Sequence, residues 1–192
     1  LLSVHAHLRR GQDPDATALL GCCTPVNLRQ ELEPPLGDEI GLFVGPVVSF
    51  NEVGGAREFW ALAREVRDAV HGARSQHGPA TALVTQCLLL PRLATPRFAA
   101  QLLYHPLFGA IAVTNLGSPA IARQYGPLTL EKLHVNPTSN PFGSLLSLAV
   151  TTVHGRMAVN FNYNEGVVGE NTIDALMADV CGRLQRGMEP LT

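Results

Sequence analysis

Charge is scarce in this chain. Acidic and basic residues together make up 16% of its 192 positions, against an average of about 25%. A surface this short of charge is expected to be covered in part by another polypeptide. The balance is also flat, with 14 basic against 16 acidic residues and a formal charge of −2. No dense basic patch exists, which excludes the electrostatic footprint needed to hold a nucleic-acid backbone.

Long apolar runs are missing too. The longest uncharged stretch opens at Phe98 and ends at Arg123, but Gln101, Tyr104, His105, Pro106 and Asn115 interrupt it. A bilayer helix needs about 20 predominantly apolar residues, so the stretch reads as a helix, a break and a strand, and no membrane span is expected. The first residues, Leu-Leu-Ser-Val-His-Ala-His-Leu-Arg-Arg, lack the charged n-region of a signal peptide. Residues 1–17 read as the tail of a helix from a preceding region, which points to a fragment or a processed chain.

Four cysteines (Cys22, Cys23, Cys87, Cys181) are too few for a disulfide framework. Adjacent Cys22 and Cys23 would point to opposite faces of a strand, so buried free thiols in a reducing compartment, the cytoplasm, are the expectation. Nucleophile and ligand motifs are absent: no Gly-x-Ser-x-Gly, Gly-Lys-Ser/Thr, His-Glu-x-x-His or Cys-x-x-Cys occurs. The seven histidines are scattered, and each reads first as a surface or hydrogen-bonded structural residue. No metal site and no bound cofactor follow.

What is present is clear periodicity. Residues 57–74 place Phe59, Leu62, Ala63, Val66 and Val70 on one stripe, an amphipathic helix. Residues 171–186 do the same with Ile173, Leu176, Met177, Val180 and Leu184, and Gly187 stands where a C-cap glycine belongs. Residues 18–29 read as a strand entering a turn, and 39–50 as an irregular strand carrying Gly41, Gly45 and Pro46. Residues 80–90 fit a helix or a buried strand equally, 96–104 a helix capped by Thr95, and 109–116 an apolar strand. Residues 145–153 and 156–164 form a hairpin about His154-Gly155. In its second strand Met157, Val159, Phe161 and Tyr163 share one face, and Ala158, Asn160, Asn162 and Asn164 the other. Hairpins mixed with amphipathic helices give an α/β chain, an α+β sandwich forming a single domain over 1–192.

Three local features stand out. Val26-Asn27-Leu28-Arg29 ends a strand in a guanidinium, read as a salt bridge between strands or lobes ahead of a substrate contact. Val113-Thr114-Asn115-Leu116-Gly117 ends a strand in an amide, which serves a turn or a channel wall equally well. Ser139-Asn140-Pro141-Phe142-Gly143 precedes the C-terminal hairpin as turn chemistry.

In this order the features resemble the C-terminal half of the two-lobed acyltransferases related to chloramphenicol acetyltransferase. That superfamily includes peptide-synthetase condensation domains and polyketide-associated acyltransferases. The matching elements are Val26 to Arg29, the Pro34-Pro35 loop, Gly41-Leu42-Phe43-Val44-Gly45, Val113 to Gly117, and the closing hairpin followed by Thr172-Ile173. Val26-Asn27-Leu28-Arg29 followed by Glu33-Pro34-Pro35 looks nearest to the polyketide-associated members.

The resemblance implies one lobe of the CoA-dependent acyltransferase fold, a mixed sheet with flanking helices. The family's His-His-x-x-x-Asp-Gly signature belongs to the other lobe, and no histidine here has Asp four residues later. The implied activity is therefore shared: acyl transfer from a CoA or carrier-protein thioester to an alcohol or amine, with the general base on an N-terminal catalytic lobe. The chain alone is expected to be inactive. CoA or phosphopantetheine enters as part of the substrate, and an acyl or peptidyl carrier protein is an implied partner. Asn115, Ser139 and Asn140 are the implied channel-lining residues, Arg29 a structural arginine, and 117–136 the segment that crosses to the partner lobe. A non-catalytic scaffold or carrier-protein docking module of the same fold is the alternative, and an unrelated α+β binding domain a third.

Overall fold

The structure, a computed structural model, describes residues 1–8, 16–31, 33, 37, 39–41, 43–54, 57–84, 111–136 and 144–188. The expected helix over 96–104, Cys87, and the proposed channel residues Ser139 and Asn140 lie outside the described residues.

A short helix α1 (Leu2–Leu8) precedes strand β1 (Ala18–Asn27), and β2 (Val44–Val53) follows. Helices α2 (Phe59–Ser75) and α3 (Gly78–Val84) come next, then strand β3 (Ile111–Asn115). A small hairpin, β4 (Gln124–Tyr125) and β5 (Leu128–Thr129), leads to β6 (Leu146–Val153), β7 (Arg156–Tyr163) and the last helix α4 (Glu170–Met188). The main sheet has the order β2-β1-β3-β6-β7. Its outer pairs are antiparallel, while β3 runs parallel to both β1 and β6. This is the expected mixed α/β sheet with flanking helices.

Register decides which side chains share a face. Cys22 lies opposite Ile111, Ile111 opposite Leu146, and Leu146 opposite Tyr163. On that face Ile111 and Leu146 pack with Val4 of α1 and with Val168, Ile173 and Leu176 at α4, all buried. Phe161 and Tyr163 pack against the same cluster. The opposite face holds small side chains, Cys23, Ala112, Ser147, Ala149 and Thr151, each nearly fully buried. Further out on that face Leu19 and Phe50 are 64% and 49% exposed.

Several expectations shift. The strand anticipated over 39–50 begins only at Val44 and continues to Val53. Pairing with β1 spans ten residues and places Pro46 opposite Pro25, so two residues without N–H groups face each other across the ladder. Over its described part, 80–90 is helical as far as Val84. Gly187 is not a cap, because α4 runs on to Met188. A Cβ at Gly187 would come within 3.0 Å of the Phe59 ring, so glycine there lets α4 approach α2. Cys181 is exposed rather than buried. At the β6–β7 turn both His154 (φ 50°) and Gly155 (φ 78°) are left-handed, the type I′ geometry.

Candidate functional site

Helix α2 owes its start to Glu58, whose carboxylate accepts the main-chain N–H groups of Trp60 and Ala61 at 2.7 and 2.5 Å. A capped helix with one apolar stripe must bury that stripe, and of it only Leu62 is fully buried. The remainder borders a cavity of about 650 Å³ between α1, α2 and α4, floored by β1 and β3. That size lies within the usual range of about 300–1,000 Å³ for small-molecule sites.

The walls are apolar: Leu62, Ala63 and Val66 from α2, Ile111 and Val113 from β3, and Leu184 from α4. Cys22 contributes to the floor. Burial pushes its thiol up from the ordinary value, against an opposing hydrogen bond with Thr24. Cys23, on the other face, is pushed by burial to about 12. In both cases burial favours the neutral thiol over the thiolate.

The topology orders the cavity along its length. Pro79 at the start of α3 packs directly on Gly45, which pairs with Val26 near the end of β1. Helix α2 therefore runs back along the sheet and finishes beside the C-terminal end of β1. Since Cys22 is opposite Ile111 in a parallel pair, Asn115 is level with Val26. The end of β3 and the last turns of α2 thus meet at one end, where Thr24, Arg67, His71 and Asn115 line the cavity. Phe59 and Leu62 line it toward the start of α2. Among the described lining residues there is no carboxylate.

Of the residues singled out in the sequence, Asn115 reaches this cavity. Its Oδ1 also accepts the Gly117 N–H at 2.9 Å, so it closes a turn as well. Arg29 sits elsewhere. Its guanidinium donates to the Gly37 and Glu39 carbonyls at 2.8 and 2.6 Å and lies 4.7 Å from the Phe43 ring centre. Among the described residues its partners are main-chain carbonyls and a ring, which hold the loop before β2.

Two polar groupings escaped the sequence reading. On α1 and α4, Ser3, His7, Asp179 and Arg183 converge. Arg183 Nε donates to Asp179 at 2.9 Å, and His7 Nε2 lies 3.7 Å from the same oxygen. Burial would raise the Asp179 carboxyl, but hydrogen bonds from Arg183 and Ser3, with the nearby charges of Arg183 and His7, hold it below its usual range. A serine, a histidine and an aspartate meet here, yet the hydroxyl bonds the carboxylate, so this is a clamp rather than a nucleophile with its base. At the far edge, Asn160 of β7 bonds His134 Nδ1 (2.7 Å), the Val135 carbonyl (3.0 Å) and Asn136 Oδ1 (2.7 Å). It fastens the end of the 117–136 segment across the polar face of β7. Between Gly117 and that anchor the segment projects the β4–β5 hairpin, with Tyr125 and Leu128 exposed. Spacing alone could not find either grouping, since Asn160 lies 24 or more positions from its partners and α1 and α4 stand far apart in the sequence.

Among the described residues no group of three potential metal ligands comes together, and no helix is long and apolar enough to cross a membrane.

No protein-family model matches the chain, and no curated protein matches it by sequence. Solved structures do match. Polyketide synthase associated protein 5 from Mycobacterium tuberculosis superposes with a TM-score of 0.56 at 16% identity, over 94% of this chain and 44% of that one. A structure describing condensation domain-mediated chain release from the enacyloxin polyketide synthase superposes with a TM-score of 0.62 at 12% identity. It covers 100% of this chain and 35% of that one. The fold is therefore the condensation-domain, CoA-dependent acyltransferase-like fold. The chain spans less than half the length of either structure.

Proposed function

We propose that this chain is the C-terminal half of an acyltransferase that moves an acyl group from a CoA or carrier-protein thioester to an alcohol or amine. The observation that carries the reading is the fold: the chain superposes over nearly all its length on under half of two polyketide-associated proteins. Fold likeness alone does not dictate chemistry, and the residues give the division of labour. No histidine in the chain is followed four residues later by Asp. That absence supports a reading in which an N-terminal lobe carries the general base, as the family resemblance implies, and this lobe supplies a wall and a crossing segment.

In this reading the 117–136 segment, held at its end by Asn160, reaches toward the partner lobe with Tyr125 and Leu128. Ser139 and Asn140 stand with Asn115 as the proposed channel-lining residues, where amide and hydroxyl groups orient the thioester. The cytoplasm, where acyl-CoA and carrier-protein thioesters are made, is the proposed location.

The test is thioester turnover. The native protein that contains this chain is incubated with octanoyl-CoA and a primary alcohol or amine, and free CoA thiol is measured. Acceptor-dependent thiol release is the expected result, with none from the chain alone. If the native protein binds an acyl carrier protein but releases no thiol, the scaffold reading of the same fold replaces this one.

A further inference from the structure

The described lining of the cavity under α2 comes from this chain, and nothing in its chemistry requires a thioester. Its long direction follows α2 from Phe59 to His71, about 18 Å at ~1.5 Å per residue. Toward the start of α2 the lining is mainly apolar, with Phe59 and Leu62 from α2 and Leu184 from α4, and Arg183 beside Leu184 is the charged exception. The other end gathers a guanidinium (Arg67), an imidazole (His71), a hydroxyl (Thr24) and an amide (Asn115).

Among the described residues Arg67 bonds the neighbouring Asp68, through Nε at 2.9 Å and NH2 at 2.8 Å. Both groups are exposed, so the pair is weakly held and the guanidinium can turn to a ligand. Arg183 also lines the cavity but is engaged by Asp179 beside α1. An elongated, mainly apolar slot whose weakly held guanidinium stands beside an imidazole, a hydroxyl and an amide, with no carboxylate among its described lining residues, discriminates by charge. Sugars and nucleotides would leave most of their polar groups unpaired against the walls. A cationic amphiphile would meet Arg67.

We propose that the cavity binds one single-chain carboxylate amphiphile. The aliphatic tail lies between α2, α4 and the β1–β3 floor, and the carboxylate lies at the Arg67–His71 end. The inference does not depend on acyl transfer: a chain that catalyses nothing would still bind such a molecule.

Dodecanoate, kept below its micellar concentration, is the probe. The single tryptophan, Trp60, stacks edge-on against Phe59 at 5.1 Å between ring centres, so its emission reports on the cavity wall. Calorimetric titration of the chain, followed in parallel by Trp60 fluorescence, is expected to show saturable one-to-one binding. Ala63→Phe, which projects a ring into the cavity from α2, is expected to weaken binding about tenfold or more. Val66→Phe serves the same purpose if circular dichroism shows Ala63→Phe misfolded. Arg67→Gln is expected to weaken dodecanoate several-fold while leaving dodecanol unchanged. Absence of saturable binding overturns the proposal, as does unchanged affinity in a folded cavity-filling variant. Dodecyltrimethylammonium binding as tightly as dodecanoate overturns it too.

Discussion

Single residues already carry much of the account. Gly45 is needed for a close approach: a Cβ there would overlap the Pro79 carbonyl, which is backbone and cannot step aside. Gly45→Ala is expected to cost about 3 kcal/mol, read as a lower denaturant midpoint. Gly72, on α2 with open space about it, is the counter-case; Gly72→Ala should stabilise by up to about 1 kcal/mol. Equal effects at the two positions would contradict the packing of α3 on β2. Asp179 makes a pH prediction. Its folded value is held low, so its contribution is present above the unfolded carboxylate value of about 3.9 and is lost as pH falls through the lower folded value. Melting temperatures of wild type and Asp179→Asn should therefore differ at pH 6 and converge as the pH drops below 4. A gap that persists at pH 2 would show that the clamp between α1 and α4 does not act through charge.

At the scale of elements, periodic patterns were legible and cooperative details were not. The stripes of α2 and α4, the apolar run of β3 and the alternation in β7 follow from 3.6- and two-residue periods, and each element is present. What escaped depends on partners distant in sequence. Gly187 looked like a stop signal, but it lies within α4, where the Phe59 ring packs against it. Strand β2 begins at Val44 because its pairing with β1 starts at Asn27, which no local signal near Glu39 could reveal. The cavity is likewise assembled from residues near positions 22, 63, 113 and 184, so no motif announces it. Asn115 was legible as the end of a strand, whereas its place level with Val26 needed the parallel register. The β6–β7 turn gives an element-scale prediction. With both turn residues at positive φ, Gly155→Ala should destabilise the hairpin by about 1 kcal/mol, while His154→Asn should be neutral or slightly stabilising. Loss of stability in His154→Asn, measured by urea unfolding, would mean that the histidine side chain does more than turn the chain.

For the whole molecule, the scarcity of charge and the exposed apolar residues belong together. Leu19 and Phe50 stand on the outer part of one sheet face, and Tyr125 and Leu128 on the projecting hairpin. A chain that presents such residues without a partner should self-associate. Sedimentation velocity at increasing concentration is expected to show a rising average mass, reduced by Leu128→Lys. A monodisperse monomer across the range would mean that these residues serve no interface. The fold likeness agrees with that expectation, since the chain superposes on less than half of each polyketide-associated structure. The central claim is that this lobe works with a histidine-bearing partner lobe. Its most direct test is the intact mass and peptide sequence of the native protein isolated from its source. The account predicts a second lobe containing His-His-x-x-x-Asp-Gly, joined to this chain or co-purifying with it. Native material consisting of this 20.6 kDa chain alone, with no such partner, would contradict it.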